Sequence, residues 1–320
     1  MKLKDLFTFC IEQGIAQDLR GKDAVLAEQK RKNERFAKLP ADEKEDFDTD
    51  TLTNPFADSR ILFGDPETEV KTILTGIDIE TAEIVLAHTL KTIGKPVDLV
   101  ITHHPEGKAY ATFYQVMGLQ SDVLNKFGVP ITAAESLTDD RMKEVGRKVM
   151  GQNHMRTVDA ARLLGIPFMS AHTVADNHVA SYLQNVCDEK KPVFIGEIIK
   201  LLKAIPEYKE ATGNGAGPTI LSGSKDNKAG KIFVDMTGGT EGAKEAIEKL
   251  ADAGVGTMIC MHMSDDHFKM AEKCHIRVII AGHIASDNLG VNLLFDSVEK
   301  KFGPLNFLEC SGFRRTRRAK

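Results

Sequence analysis

Cysteine is scarce and tryptophan is absent in this chain of 320 residues. The five cysteines stand at positions 10, 187, 260, 274 and 310, and no Cys-x-x-Cys pair occurs among them. Because their number is odd and their spacing irregular, we expect neither a disulfide framework nor a zinc ribbon. Reduced thiols are typical of cytoplasmic proteins, and we expect that location.

Long hydrophobic runs are absent as well. No stretch reaches the roughly 18 uncharged residues that a membrane helix needs. The N-terminal segment is interrupted by Asp5, Glu12 and Gln13, so it lacks the apolar core of a signal peptide. The formal net charge is only −4. We therefore expect no membrane partner, and nucleic acid is not the partner that this composition favours.

Two common catalytic or nucleotide-binding motifs are missing. No Gly-x-Ser-x-Gly occurs, which excludes the nucleophile elbow of a serine hydrolase. Glycines cluster in 234–246 (VDMTGGTEGAKEA) and 211–218 (ATGNGAGP), but neither segment has the spacing of a Walker or dinucleotide motif. We interpret the first as a tight turn and the second as a flexible connection. A nucleotide-binding module built on these glycines is the weaker alternative.

Strands and helices alternate through most of the chain, which predicts an α/β fold. We expect two α/β lobes with mixed or parallel sheets and a cleft between them. The first lobe is predicted at 58–190, and the second, with a C-terminal return, at 191–320. Residues 1–57 are dense in Lys, Glu and Asp and predict a helical charged extension. That extension is either a solvated arm or a contact for a partner or a second copy.

Two shorter segments also carry expectations. Residues 129–136 (VPITAAES) favour a short strand between helices. The basic tail at 314–320 (RRTRRAK) is expected to be solvated and disordered.

Histidines follow three apolar strand-like segments. They are His103 and His104 after DLVIT, His172 after IPFMSA, and His283 after RVIIAG. An aspartate comes four residues after each of the last two, at Asp176 and Asp287. The carboxyl ends of strands form the edge at which open α/β sheets bind ligands. Residues four apart share one face of a helix, so each His–Asp pair can point into the same cleft.

Imidazole nitrogens and carboxylate oxygens together suit Zn, Mn, Fe, Ni or Co better than Mg or Ca. The number of these residues exceeds what one tetrahedral ion requires, and two divalent ions would use it. Capped strands with polar helix starts are the alternative interpretation of the same pattern.

Three segments resemble the NGG-interacting-factor-three-like family, also named GTP cyclohydrolase I type 2-like. They are ILTGIDIETAEIVLAHTLKTIGKPVDLVITHHP, HTVAD and AGHIASD. The resemblance implies a dinuclear metal centre with five ligands: His103, His104, Asp176, His283 and Asp287. It places His172 in the same pocket, orienting a ligand or the substrate. It also implies a homo-oligomer, with a toroidal hexamer as the form found in better-known members.

The chain departs from the family pattern at several points. Asp287 stands where the family usually has glutamate, so a carboxylate that bridges two ions is shorter by one methylene. Glu106 follows the His-His-Pro element, where an apolar residue is usual. The span from His104 to His172 is long, and 1–57 has no recognised counterpart. Substrate or assembly can therefore differ from those of the better-known members.

The remaining histidines carry weaker expectations. His267, in the segment MICMHMSDDHFKM, is a candidate for substrate contact or proton transfer, with a solvated helix start as the alternative. His88, His154, His178 and His275 lie in helical or surface patterns and are expected to be structural or solvent-facing.

We consider two functions from these observations. The first is a metal-dependent hydrolase that acts on a nucleotide-like, cyclic amide or phosphoester substrate, with His172 or His267 transferring protons. The second is a non-enzymatic metal-binding scaffold or regulator that engages protein partners.

Overall fold

The computed structural model of the chain describes residues 1–318. Its helices are α1 (Leu3–Ala16), α2 (Lys22–Lys38), α3 (Ala41–Glu45), α4 (Thr81–Thr92), α5 (Gly107–Thr112), α6 (Leu119–Lys126), α7 (Ile131–Met150), α8 (Arg156–Leu164), α9 (Thr173–Lys190), α10 (Ile195–Lys203), α11 (Pro206–Gly213), α12 (Ala246–Asp252), α13 (Asp265–Lys273) and α14 (His283–Phe302). Its strands are β1 (Ser59–Phe63), β2 (Thr72–Gly76), β3 (Leu99–Thr102), β4 (Phe168–Ala171), β5 (Thr219–Ser222), β6 (Lys231–Asp235), β7 (Val255–Cys260), β8 (Arg277–Ile280) and β9 (Asn306–Glu309). Short 3₁₀ helices occupy Thr49–Leu52 and Phe113–Gly118.

The strands form two mixed sheets, as the α/β alternation predicted. The first has the order β1-β4-β3-β2-β9, and only β1 runs antiparallel to its neighbour. The second has the order β5-β8-β7-β6, again with only its first strand antiparallel. Apart from β9, the two sheets have the same topology. In each, a long helix follows the strand beside the antiparallel edge, α9 after β4 and α14 after β8.

The first sheet is buried on both faces, which explains why its parallel strands are continuously apolar. Ile73 and Ile101 pack on one face against residues of α1, α9 and α14. Leu74 and Val100 alternate with them and pack on the other face against α4 and α8. The second sheet shares a separate core with α10, α12 and α13. The division of the chain at residue 190 remains a prediction.

Helices α9 and α14 pack closely against each other, and Gly290 makes the approach possible. A Cβ atom on Gly290 would lie 2.5 Å from the carbonyl oxygen of Ala175. Asp176 and Asp287 lie next to this contact along their helices, so it brings the two carboxylates together. At the start of α14, Gly282 has φ +109° and a Cβ there would lie 2.7 Å from the carbonyl oxygen of Ala216.

The N-terminal extension is helical, but its first helix is not solvated. Leu3, Leu6 and Cys10 are fully buried in the core of the first sheet. In α2 only Val25 is buried, so this helix fits the predicted solvated pattern. The acidic segment after it is held by Arg60, whose Nη1 lies 2.8 Å from Asp50 Oδ2.

Two local expectations were wrong. Residues 131–136 belong to the long helix α7 instead of a strand, because Pro130 stands at its N-cap and buried residues such as Ala134 and Thr138 recur at helical spacing. The basic tail is ordered from 314 to 318, since Phe313 is fully buried and Arg315 pairs with Asp296 and Glu299. Its last two residues, Ala319 and Lys320, lie outside the described residues.

The tail supports a prediction about acid stability. Glu299 is partly buried, which by itself raises its pKa, but hydrogen bonds from Arg317, Leu305 and Arg315 lower the pKa to about 2. Stability from this carboxylate is therefore present above its ordinary pKa near 4.5 and is lost as the pH falls toward 2. We expect Glu299→Gln to lower the free energy of unfolding at pH 7 by about 2 kcal/mol, with the difference vanishing near pH 2.

Urea unfolding of both proteins between pH 2 and pH 7 measures this difference. Glu135→Gln, on the exposed face of α7, is the matched control and should change little. A Glu299→Gln difference that stays constant across this pH range would contradict the assignment.

Candidate metal centre

The histidines predicted at three strand ends meet in one cluster. Ring centroids of His103 and His172 lie 4.9 Å apart, and those of His104 and His283 lie 5.1 Å apart. Asp176 and Asp287 lie between these rings: His103 Nε2 is 3.4 Å from Asp176 Oδ1 and 3.5 Å from Asp287 Oδ1. The structure thus brings the five residues of the predicted ligand set and His172 into direct proximity.

Three of the rings are fixed in the same way, through Nδ1. His103 Nδ1 lies 3.2 Å from the carbonyl oxygen of Ala171. His104 Nδ1 lies 2.6 Å from Asp78 Oδ1, and His172 Nδ1 lies 2.8 Å from Asp58 Oδ2. Because these oxygen atoms are acceptors, each Nδ1 carries the proton and each Nε2 keeps its lone pair. This arrangement is typical of metal-binding histidines.

Each Nε2 atom faces a carboxylate of the cluster. His104 Nε2 is 3.6 Å from Asp287 Oδ2, and His172 Nε2 is 3.6 Å from Asp176 Oδ2. His283 Nε2 is 3.7 Å from Asp287 Oδ2. These separations are too long for hydrogen bonds. They match the spacing of about 3.4 Å between two atoms that each lie about 2.1 Å from one tetrahedral ion.

Buried polar atoms of the cluster have no hydrogen-bond partner within residues 1–318. They are His103 Nε2, Asp176 Oδ1 and both carboxylate oxygens of Asp287. Buried polar groups without partners are rare and destabilising. Bound cations would give these four atoms partners, so the residues fit a metal centre.

The cluster divides into overlapping groups of three residues whose ligand atoms lie within 4.8 Å of one another. One contains His103, Asp176 and Asp287, and a second contains His104, His283 and Asp287. A third contains His103, His104 and His172. Asp287 is therefore the carboxylate common to two groups.

The pKa values of the two aspartates shift in opposite directions. Burial raises the pKa of Asp176, and His172 and His103 offset this only in part. For Asp287 burial acts in the same direction, but His103, His283 and His104 together hold its pKa below the usual range. Asp287 thus has the stronger preference for the charged form that binds cations.

Sequence reasoning missed the two carboxylates that fix the rings. Asp58 is fully buried, and besides His172 it accepts a hydrogen bond from Thr173 Oγ1 at 2.6 Å. Asp78 is more exposed and accepts the hydrogen bond from His104 Nδ1. Asp78 follows β2 at the same sheet edge as His103. The rule that ligand-binding residues follow the carboxyl ends of strands, applied to residues 75–78 (TGID), could therefore have found it.

The cluster lies at one end of a cleft with a volume of about 550 Å³. His104 and His172, from the first sheet, and His262 and His283, from the second, line the same cleft. His262 lies in the same segment as His267, just after β7, and its ring lies 4.8 Å from that of His283. The carboxyl edges of both sheets therefore contribute to one site.

His267 also lines the cleft, but both of its ring nitrogens are engaged. Nε2 donates to the carbonyl oxygen of Gly242 at 2.9 Å, so Nδ1 accepts the hydroxyl hydrogen of Ser264 at 2.7 Å. Its role in proton transfer stays a prediction.

The other histidines occupy varied positions. His178 is buried in α9, and burial lowers its pKa to about 4. His154 lines the cleft beside Tyr110, with ring centroids 5.3 Å apart. Within residues 1–318, no helix has the length and apolar composition needed to cross a membrane.

No protein-family model matches the chain. A GTP cyclohydrolase 1 type 2 homolog of Pyrococcus horikoshii is 26% identical over 242 residues, which cover 73% of this chain and 82% of that protein. The crystal structure of a NIF3 superfamily protein from Sphaerobacter thermophilus matches with a TM-score of 0.69 and 28% identity, covering 80% of this chain and 92% of that one. The resemblance predicted from the sequence is confirmed: the chain is similar in sequence and in fold to proteins of the NIF3 (NGG-interacting-factor-three) superfamily.

Proposed function

We propose that the cluster holds two divalent metal ions and that the protein is a metal-dependent hydrolase. The observation that carries this proposal is the convergence of the Nε2 atoms of His103, His104 and His283 on buried carboxylate oxygens that have no hydrogen-bond partner within residues 1–318. His103, Asp176 and Asp287 would hold one ion, and His104, His283 and Asp287 the other. Zn, Mn, Fe, Ni and Co suit these ligands.

Asp287 is the residue that we propose to bridge the two ions. It belongs to both groups, and its two oxygen atoms face different histidines, Oδ1 toward His103 and Oδ2 toward His104 and His283.

His172 can serve the same centre. Its Nδ1 hydrogen is held by Asp58, so the neutral ring can offer Nε2 as an additional ligand and the protonated ring can donate its Nε2 proton on the substrate side. Burial opposes the charged ring, but Asp176 and Asp58 raise the pKa of His172 to about 9.

Two divalent ions, when bound, lower the pKa of a water molecule and polarise the bond to be hydrolysed. The two buried aspartates reduce the net charge of the centre, and the cleft beside it provides space for a small molecule. A nucleotide-like, cyclic amide or phosphoester substrate is compatible with these groups. The relative from Pyrococcus horikoshii bears the name of a GTP cyclohydrolase homolog, which supports a hydrolytic reaction. The sequence also predicts a homo-oligomer, with a hexamer as the expected form, and a cytoplasmic location. Both remain predictions.

The test is hydrolysis by the full-length, metal-loaded protein of a panel of nucleotides, cyclic amides and phosphoesters. We expect His104→Ala to reduce the hydrolysis of the responsive substrate at least about 100-fold, because the variant loses an Nε2 that faces the shared carboxylate. His88→Ala, on α4, is the matched control. If the protein binds metal yet hydrolyses no member of the panel, the scaffold or regulator function replaces the enzyme.

A further inference from the structure

The cleft beside the metal cluster is lined by apolar and aromatic side chains. Tyr110 and Phe113 stack with ring centroids 5.6 Å apart and planes inclined by 16°. Met236, Met261 and Met263 line the cleft from the second lobe. Methionines and aromatic rings of this kind bind flat molecules with an apolar body.

The charged groups of the same cleft are mostly acidic. Apart from the metal cluster, its carboxylates are Glu80, Glu106, Asp235 and Glu241. Among the residues that the structure describes, Arg156 is the one lysine or arginine in the lining. Arg156 is exposed and is already close enough to Glu106 to influence it, although burial still raises the pKa of that carboxyl.

Bound metal ions do not reverse this balance. Two divalent ions bring four positive charges, half of which Asp176 and Asp287 offset. With the histidines counted as neutral, the four further carboxylates and Arg156 then give these groups a net charge of about −1. Desolvation raises the pKa of Asp235 to about 6, so this carboxyl is still mostly ionised at pH 7.5.

Three carbonyl oxygens of the glycine segment 234–246 are already hydrogen-bonded. Those of Gly238 and Thr240 accept hydrogen bonds from Gln120 Nε2, and that of Gly242 accepts one from His267. The segment 211–218 does not line the cleft. Outside the metal cluster, the acidic and basic side chains that a polyphosphate would meet are therefore four carboxylates and Arg156.

Building on the proposed hydrolase, we infer that its substrate is an uncharged or cationic, flat and partly apolar molecule with N–H or O–H donors, and that the cleft discriminates against nucleoside polyphosphates. The carboxylates accept the donors, while the aromatic and methionine side chains contact the flat body. An uncharged nucleoside or cyclic amide meets this description, and a nucleoside triphosphate does not.

A pair of fluorescent probes that differ only in their phosphates tests the inference. N-methylanthraniloyl-adenosine and N-methylanthraniloyl-ATP are titrated with the full-length zinc-loaded protein, gel-filtered to remove free ion, and fluorescence anisotropy gives both affinities. We expect the uncharged probe to bind at least about tenfold more tightly than the triphosphate. The ratio should shrink when ionic strength rises, because salt screens the repulsion.

The double variant Glu106→Gln/Asp235→Asn locates the effect in the cleft. It should tighten binding of the triphosphate about tenfold, whereas binding of the uncharged probe should not tighten, because two carboxylates that accept its donors are replaced by amides. Glu106→Gln alone should act in the same direction, which covers the case in which the double variant folds poorly. Asp42→Asn/Glu43→Gln, in the exposed helix α3, removes the same charge elsewhere and should leave both affinities unchanged.

Three results would overturn the inference: triphosphate binding as tight as that of the uncharged probe, a ratio that the cleft variants do not alter, or no binding of either probe. Hydrolysis is not part of the readout. A protein that hydrolyses nothing would therefore contradict the proposed function while leaving the measured preference intact, and the two failures are distinguishable.

Discussion

Asp287→Asn should abolish the stabilisation that metal gives the protein. In the chelated protein, the variant removes a fully buried carboxylate that has no hydrogen-bond partner in residues 1–318 but whose charged form three histidines favour, so we expect only a small fall in Tm. In the metal-loaded protein, the variant loses the carboxylate common to both ligand groups. We expect metal affinity to fall at least about 100-fold and the stabilisation by metal to disappear.

Differential scanning calorimetry with zinc and with chelator measures both effects on the same two proteins. Asp139→Asn, on the exposed face of α7, is the matched control and should shift neither transition. A variant that loses as much stability in chelator as in zinc would mean that Asp287 has a structural role, and the bridging assignment would be wrong.

Asp58→Asn should weaken metal binding about 10- to 100-fold, although Asp58 is not itself a proposed ligand. Its carboxylate holds the Nδ1 hydrogen of His172 at 2.8 Å and so keeps the lone pair on Nε2. An amide facing the ring can donate instead, which favours the tautomer that carries its proton on Nε2. That tautomer cannot offer Nε2 to a cation.

Competition with a chromophoric chelator measures the affinity, and the absorption spectrum of the cobalt-substituted protein reports the ligand geometry. Thr173→Val is the matched control, because it removes the 2.6 Å hydrogen bond to the same Asp58 oxygen without touching His172. Equal losses in both variants would indicate that Asp58 acts only by stabilising the fold.

The strand-end rule found the histidines because parallel strands have their carboxyl ends at one edge. His103 and His172 follow β3 and β4, which are parallel neighbours, so their proximity was encoded in two local patterns. His283 follows β8 in the other sheet. Its position relative to His104 depends on the packing of α14 against α9, which no local pattern reveals.

Asp58 could not be found by the same rule, since it precedes its strand. Strand β1 runs antiparallel to β4, with Ser59 opposite Ala171, so the start of β1 lies at the carboxyl end of β4. Strand direction follows from tertiary pairing, and a segment as short as Ser59–Phe63 does not indicate it.

Both segments that were wrongly predicted take their structure from residues outside the segment itself. The segment 129–136 contains β-branched residues that favour a strand, but the apolar face of α7 continues through Val145 and Val149 and determines a helix. The prediction that the basic tail is disordered rested on its charge alone. Its order comes from acidic residues of α14, Asp296 and Glu299, which lie about 20 residues earlier in the sequence and were not considered together with it.

The central claim is that His103, His104, His283 and two buried aspartates bind a pair of divalent ions. Elemental analysis of the untagged protein, loaded with zinc or manganese and dialysed against metal-free buffer, tests it most directly. We predict two ions per chain for the wild type and at most one for His104→Ala. A wild-type protein that retains no transition metal, or a variant that retains two ions with unchanged affinity, would contradict the account.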